Sequence, residues 1–266
     1  MNHGLNNTYL YAVSKICLVF SNEVTTVSIQ GTGFFIIKGK NLYLITNRHL
    51  VQPDWKDPQY QGYKLQSISF DRRSYNEITK TVEVDTIEIK YCDVLYADNN
   101  IDDIACIKNI KVDDCWSQKI PICIEYSMLA DSENFEKDLS ICDSIAFIGF
   151  PTVYDHKNNM PILRSGVISS DPRLDYSFNG KDNGHVLAYE AFSTSGSSGS
   201  PVFAIQKGIK VGNGLEAPDG FYRPVMLIGI NAGCFWYGPN KVHQHLSYMF
   251  KSDQIIKLID KPEEAK

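Results

Sequence analysis

The residues best suited to chemistry lie in one loop of small side chains, residues 193–202, which reads STSGSSGSPV. Apolar runs flank this loop at residues 186–192 and 202–205, and both are typical of half-buried strands. Glycines adopt backbone angles closed to other residues, so consecutive N–H groups can point into one concavity. A serine hydroxyl beside such donors has what acyl transfer requires, a nucleophile next to a site for a developing oxyanion.

A flexible serine–glycine linker is the alternative interpretation of this loop, because its composition fits a linker equally well. A linker is expected to be longer and to separate two domains. This loop instead runs directly into Pro201 and an apolar stretch. The interpretation as a nucleophile loop therefore needs a base, and an acid that orients the base, elsewhere in the chain.

His49 and Asp103 are the candidates for those two roles. His49 follows residues 42–45, an apolar run predicted as the return strand of a hairpin, and Asp103 precedes the apolar run 104–107. Each residue alone has a structural explanation, since a histidine can end a strand, an aspartate can end a loop and a serine can occupy a turn. The combination of His49, Asp103 and Ser198 favours a catalytic role.

Five stretches, in this order, resemble motifs of trypsin-like serine peptidases with the chymotrypsin fold, and especially of bacterial HtrA-type protease domains. The stretches cover residues 31–34 (GTGF), 44–51 (LITNRHLV), 103–107 (DIACI), 148–151 (IGFP) and 196–201 (GSSGSP). The resemblance that these stretches support covers roughly residues 13–250, nearly the whole chain. The resemblance implies a peptidase fold and a Ser-His-Asp mechanism.

The resemblance implies a role for each matching residue. Ser198 is expected to be the nucleophile, His49 the general base and later acid, and Asp103 the residue that orients His49. The backbone N–H groups of Gly196 and Ser198 are expected to form the oxyanion hole.

Neighbouring residues are the alternatives to two of these assignments. Asp102 is the alternative to Asp103, but the match to the aspartate motif favours Asp103, and we expect Asp102 to be solvated. Ser195, Ser197 and Ser200 are the alternatives to Ser198, but only Ser198 lies between glycines at the required offset.

The chain also departs from the family pattern. Ser197 stands where activated digestive enzymes carry an aspartate, so we do not expect activation by pairing with a new N-terminal ammonium. HtrA-type proteins usually carry a PDZ domain, and the roughly 16 residues after position 250 are too few for one.

Substrate preference is predicted from the residue six positions before the nucleophile, where tryptic enzymes place an aspartate and this chain has Phe192. Without a carboxylate the pocket is expected to take small or apolar side chains. Phe192 filling the core is the alternative. The expected substrate-binding residues are Phe192, Ser193, Thr194, Ser195, Asn231, Ala232 and Gly233.

Many short strands, frequent turns and one terminal helix predict an all-β fold of two six-stranded antiparallel β-barrels. The first barrel is expected to span residues 1–120 and to carry His49 and Asp103. The second is expected to span residues 121–250 and to carry Ser198. Residues 251–266 are expected to form a C-terminal helix that Ser252 caps.

Composition limits the partners and the compartment. A net charge of −5 argues against nucleic acid or an anionic membrane as the main partner. The seven cysteines form no Cys-x-x-Cys, and no secretory leader or membrane span is recognised, so we expect reduced thiols and a cytoplasmic protein. His243 and His245 have no further ligand at metal-binding spacing, so neither a metal nor a cofactor is expected.

The expected activity is that of a serine endopeptidase with a protein or peptide substrate and, as a further partner, a regulatory protein. One alternative is a catalytically silent or regulated module that binds an extended peptide along residues 231–233 by strand addition. Another is an esterase that uses the same three residues.

Overall fold

The computed structural model describes residues 5–112, 121–208, 222–237, 239 and 242–262. Strands dominate this part of the chain. They are β1 Val13–Ser21, β2 Thr26–Lys38, β3 Asn41–Thr46, β4 Lys64–Asn76, β5 Thr81–Ile89, β6 Tyr91–Tyr96, β7 Ala105–Lys111, β8 Ile124–Glu125, β9 Ser144–Gly149, β10 Ile162–Ile168, β11 Val186–Glu190, β12 Pro201–Ala204, β13 Met226–Tyr237 and β14 Val242–Lys251. The α-helices are α1 Arg48–Val51, α2 Ser132–Lys137 and α3 Ser252–Ile259, and 3-10 helices cover Asn7–Leu10, Pro53–Trp55, Pro58–Tyr60 and Tyr126–Met128.

The N-terminal half is an antiparallel sheet in the order β5-β4-β1-β2-β3-β7-β6, with the short β8 added in parallel to β2. The strands at the two ends of this order, β5 and β6, do not pair with each other in the part of the chain that is described. Closure of this half into a six-stranded barrel is therefore not confirmed. It is an eight-stranded sheet that reaches Glu125.

The C-terminal half is a closed six-stranded barrel in the order β10-β11-β14-β13-β12-β9, as predicted. Helix α3 follows β14 directly, in agreement with the predicted C-terminal helix. Its predicted cap is wrong, because Lys251 occupies the N-cap position and the Ser252 hydroxyl donates instead to the carbonyl of Ala130 at 2.6 Å. None of the helices in the described segments is long and apolar enough to cross a membrane.

One hydrophobic core joins the two halves. Phe34 and Cys106 of the N-terminal sheet belong to the same buried cluster as Phe203, Ile230 and Phe250 of the barrel. Fully burying a side chain such as phenylalanine stabilises a fold by about 1.5–3 kcal/mol, so this shared cluster holds the halves together. The loops at their junction are consequently held at fixed positions relative to each other.

Strand β4 is the main element that the sequence pattern does not predict, because the polar composition of residues 52–80, with Pro53 and Pro58, is typical of loops around one short strand. β4 is 13 residues long and carries Asp71, Arg72 and Arg73 in its interior. Asp71 pairs with Lys15 at 3.1 Å and Arg72 with Asp85 at 2.6 Å. The Arg73 guanidinium has no hydrogen-bond partner among the described residues and lies 4.6 Å from the centre of the Phe150 ring. The ion pairs of Asp71 and Arg72 with neighbouring strands are compatible with a sheet, although the composition of this stretch suggests a loop.

The cysteines allow a direct test of the predicted thiol state. The six in the described segments are all free, and Cys115 lies outside those segments. Burial raises the pKa of both Cys106 and Cys123 to about 12, whereas Cys142 is exposed. Alkylation of the native protein at about pH 8 should therefore modify Cys142 before Cys106 and Cys123, because the thiolate is the reactive form.

The same alkylation in denaturant without a reductant should modify all seven cysteines, as mass spectrometry would record. A smaller number of modified thiols would mean that a disulfide bond exists and would contradict the predicted reduced state.

Candidate active site

His49 and Asp103 are brought together by the pairing of β3 with β7. Thr46, the last residue of β3, lies opposite Ala105, the first residue of β7, so the loops at these strand ends are neighbours. The side-chain amide of Asn47 donates to the carbonyl of Asp103 at 2.7 Å and fixes one loop on the other.

The carboxylate of Asp103 holds His49 through two hydrogen bonds. Oδ1 accepts the backbone N–H of His49 at 2.9 Å, and Oδ2 lies 2.6 Å from Nδ1 of its ring. This geometry places the Nδ1 proton on the side of Asp103 and leaves Nε2 as the nitrogen that can accept a proton.

Asp103 is ionised although it is almost fully buried. Burial alone would raise its pKa, but the charge and hydrogen bonds of His49 and the charge of Lys56 outweigh burial and lower it. The Lys56 ammonium lies 3.5 Å from Oδ2. A buried carboxylate that stays charged can stabilise a positive charge on the imidazole beside it.

The loop that carries Ser198 is held against the N-terminal sheet by Thr32 of β2. The backbone N–H of Thr32 donates to the carbonyl of Ser198 at 2.9 Å, and its hydroxyl donates to the carbonyl of Gly196 at 2.8 Å. His49, Gly196 and Ser198 line one cavity of about 430 Å³. The fold thus brings residues 49, 103 and 198 to one place.

The hydroxyl of Ser198 makes no hydrogen bond to His49 among the described residues. A contact of this kind is often loose in the absence of substrate and tightens when the substrate is bound.

The backbone around Gly196 leaves two N–H groups free. Gly196 has a φ of +88°, and the carbonyl of Ser195 accepts the N–H of Thr152 at 3.1 Å. Because the N–H and C=O of a trans peptide point in opposite directions, the Gly196 N–H faces away from Thr152. Within the described segments neither this N–H nor that of Ser198 donates a hydrogen bond. Two free donors beside a serine are suited to an oxyanion.

The predicted pocket residues have different environments. Ser195 lines the cavity, whereas Ser193 and Asn231 are buried and bonded to each other, with Nδ2 of Asn231 donating to the Ser193 hydroxyl at 3.1 Å. Ala232 is buried, and Thr194 and Gly233 are partly buried. Asn231 therefore supports the loop of residues 193–202 through a hydrogen bond and does not face the cavity.

Phe192 is 43% exposed and stacks on two histidine rings instead of filling the core. Its ring centroid lies 4.4 Å from that of His243 and 5.5 Å from that of His245. The guanidinium of Arg164 lies 5.2 Å from the Phe192 ring and donates to the Phe192 carbonyl. Nε2 of His243 donates to the carbonyl of Ser193 at 2.9 Å.

The expectation that Asp102 is solvated is wrong. Asp102 is fully buried, and it binds His185 as Asp103 binds His49. Oδ1 of Asp102 accepts the backbone N–H of His185 at 2.9 Å, and Oδ2 lies 2.8 Å from its Nδ1. A buried carboxylate needs such a partner, and the sequence offered no signal for it because His185 lies in a polar loop far along the chain.

Comparisons with known proteins identify the family to which this fold belongs. The family model described as a trypsin-like peptidase domain matches residues 31–212, which include positions 49, 103 and 198. The crystal structure of Deg5 has a similar fold, with a TM-score of 0.52 and 18% identity over 94% of this chain and 88% of that chain. No curated protein matches the sequence. The chain belongs to the trypsin-like peptidase domain family, as the resemblance in its sequence predicted.

Proposed function

We propose that the chain is a serine endopeptidase that cleaves peptide bonds through an acyl-enzyme on Ser198. One observation carries this proposal: a histidine that is hydrogen-bonded to a buried, ionised aspartate lines the same cavity as a serine in a glycine-rich loop. This arrangement supplies a nucleophile, a base and a residue that orients the base.

In the proposed first step, Nε2 of His49 takes the proton of the Ser198 hydroxyl while the oxygen attacks the carbonyl carbon of the substrate. The resulting imidazolium is stabilised by Asp103, which remains ionised. His49 then gives this proton to the leaving amine, and the acyl group stays on Ser198.

In the second step, water loses a proton to His49 and attacks the acyl carbon, which releases the acid and restores Ser198. The oxyanion that forms in each step would accept hydrogen bonds from the free N–H groups of Gly196 and Ser198. Removing one such donor costs about 2.7–4 kcal/mol of transition-state stabilisation in enzymes of this kind.

A fluorophosphonate probe tests the proposed nucleophile. The native chain should be labelled on Ser198, with the modified residue identified by peptide mass spectrometry, and Ser198→Ala and heat-denatured protein should not react. Absence of labelling in the native chain would favour the silent peptide-binding module, and labelling of Ser195 would contradict the assignment. Turnover of peptides as well as esters would then distinguish an endopeptidase from an esterase.

We further propose that cleavage follows small or apolar residues rather than lysine or arginine. The Phe192 ring contacts the Arg164 guanidinium and the rings of His243 and His245, and none of these three groups is a carboxylate. A basic substrate side chain there would lie beside the Arg164 guanidinium without an anionic partner, and two like charges repel each other. An apolar side chain avoids this repulsion and gains contact with the Phe192 ring.

Digestion of a peptide library with mass-spectrometric sequencing of the products tests this specificity. Cleavage after Ala, Val or Leu would agree with the proposal. Dominant cleavage after Lys or Arg would contradict it entirely. Dominant cleavage after Asp or Glu would contradict the apolar preference and would indicate that the Arg164 guanidinium beside Phe192 selects the substrate.

A further inference from the structure

Asp102 and Asp103 are adjacent carboxylates that bind two different histidines with the same geometry. In each case one oxygen accepts the histidine backbone N–H at 2.9 Å and the other lies within 2.8 Å of Nδ1. Both aspartates are buried. The difference lies in the location of the histidines, because His49 follows β3 of the N-terminal sheet whereas His185 precedes β11 of the barrel.

The pair formed by Asp102 and His185 therefore crosses between the two halves next to the proposed catalytic residues. The backbone carbonyl of His185 accepts the N–H of Lys251 in β14 at 3.0 Å, so His185 is part of the barrel framework. Strand β11 begins at the next residue and leads into the loop that carries Ser198. In the N-terminal half, Asp102 is followed directly by Asp103, the residue that binds His49.

The backbone just before His185 allows the Asp102 carboxylate to approach closely. Gly184 precedes His185 with a φ of +80°, and a Cβ at this glycine would lie 2.1 Å from Oδ1 of Asp102. Only a glycine lets the carboxylate approach so closely. The hydrogen bond to Asp102 also raises the pKa of His185, because the carboxylate favours the charged form of the imidazole.

The geometry points to Asp102 and His185 as a pair of positioning residues. The pair fixes the N-terminal half, with His49 and Asp103, relative to the barrel that carries Ser198. This inference rests on the proposed serine peptidase function. The pair touches neither the substrate nor the reacting atoms. It acts by keeping the distance between the base and the nucleophile within the range that proton transfer requires.

Replacing His185 tests this inference through kcat. His185→Ala should lower kcat by about 100-fold, since a displacement of about 1 Å at a reacting group has an effect of this size. KM should change by less than about twofold, because the substrate contacts are not altered. His185→Asn keeps an N–H donor near the position of Nδ1 and should recover most of kcat.

A matched control separates positioning from general stability. Lys207 lies 3.0 Å from Asp143, another buried carboxylate, but both residues belong to the barrel half. Lys207→Ala should lower the free energy of unfolding without changing kcat. In a double-mutant cycle, Asp102→Asn combined with His185→Ala should reduce kcat no further than His185→Ala alone, because the two residues act as one unit. Wild-type kcat in His185→Ala, or equal kcat losses in the His185→Ala and Lys207→Ala proteins, would overturn the inference.

Amide hydrogen exchange tests the inference independently of peptidase activity. The backbone N–H of His49 is bonded to Asp103 and therefore reports the position of that carboxylate. His185→Ala should accelerate exchange at His49 and at residues 100–104, whereas the His185→Asn and Lys207→Ala proteins should exchange as the wild type does. Failure of the fluorophosphonate reaction in the wild type would reject only the proposed function, whereas unchanged exchange in His185→Ala would reject the positioning role.

Discussion

Alanine at Ser198 or at His49 should lower kcat for peptide or ester hydrolysis by about 10⁶-fold, the loss typical of removing either member of such a catalytic unit. The two losses are equally large because neither residue can promote acyl transfer without the other. Ser198 is not a strong enough nucleophile without a base, and His49 has no proton to accept if the hydroxyl is absent. Steady-state kinetics with an activated ester would be sensitive enough to measure the remaining rate.

Asp103→Asn should reduce kcat by about 10⁴-fold, because an amide at this position favours the wrong tautomer of His49. The double variant of Ser198→Ala with His49→Ala should be only slightly slower than either single variant, and a residual rate should persist from the oxyanion donors and substrate binding. Ser169→Ala is a matched control, because within the described segments the Ser169 hydroxyl bonds only to the carbonyl of Val167 in the barrel. Wild-type turnover in Ser198→Ala would reject the assignment.

The three candidate residues could be found from the sequence because each lies at the junction of an apolar strand and a loop. The structure has β3 ending before His49, β7 beginning after Asp103 and β12 beginning after Ser198. Such junctions are visible as a change from apolar to polar residues. The family motifs then gave the order of the three residues, which periodicity alone does not provide.

The contacts between the two halves could not be found in this way. Asp102 and His185 are separated by 83 positions, and nothing in the local sequence around either residue indicates the other. Likewise, the position of Phe192 in the sequence predicts a substrate-binding residue, but its contacts with His243 and Arg164 depend on how β10 and β14 are arranged in the barrel. Sequence patterns report which residues are buried more reliably than which residues they face.

Strand boundaries illustrate a second limit. Apolar and polar side chains alternate over residues 82–96, a pattern that predicts one strand, whereas the structure has two strands, β5 and β6, separated at Lys90. Each strand turns alternate residues towards the core, Ile87 and Ile89 from β5 and Cys92 and Val94 from β6, so the alternation changes parity at the break. The turn itself uses Lys90, whose N–H donates to the carbonyl of Lys111 at 2.8 Å, and this long-range bond has no local signature.

Gly199→Ala should destabilise the protein and abolish activity, because Gly199 lies where the nucleophile loop meets the N-terminal sheet. Its φ is +86°, and a Cβ there would lie 1.9 Å from the carbonyl oxygen of Thr32. That oxygen cannot withdraw easily, since it accepts the hydroxyl of Thr46 at 2.8 Å. Backbone strain and overpacking together should lower the free energy of unfolding by about 3 kcal/mol or more.

The expected loss of activity in Gly199→Ala has a direct cause, because any shift that relieves the clash also moves the adjacent Ser198. Gly39→Ala is the matched control, since Gly39 also has a positive φ, +61°, but a Cβ there would meet nothing within 4 Å. Gly39→Ala should therefore show only the cost of the left-handed backbone, about 1–2 kcal/mol, and keep full reactivity with a fluorophosphonate. Urea unfolding and probe labelling measure the two effects separately. Equal unfolding midpoints and equal labelling in the two variants would mean that the contact between Gly199 and Thr32 does not hold the nucleophile in place.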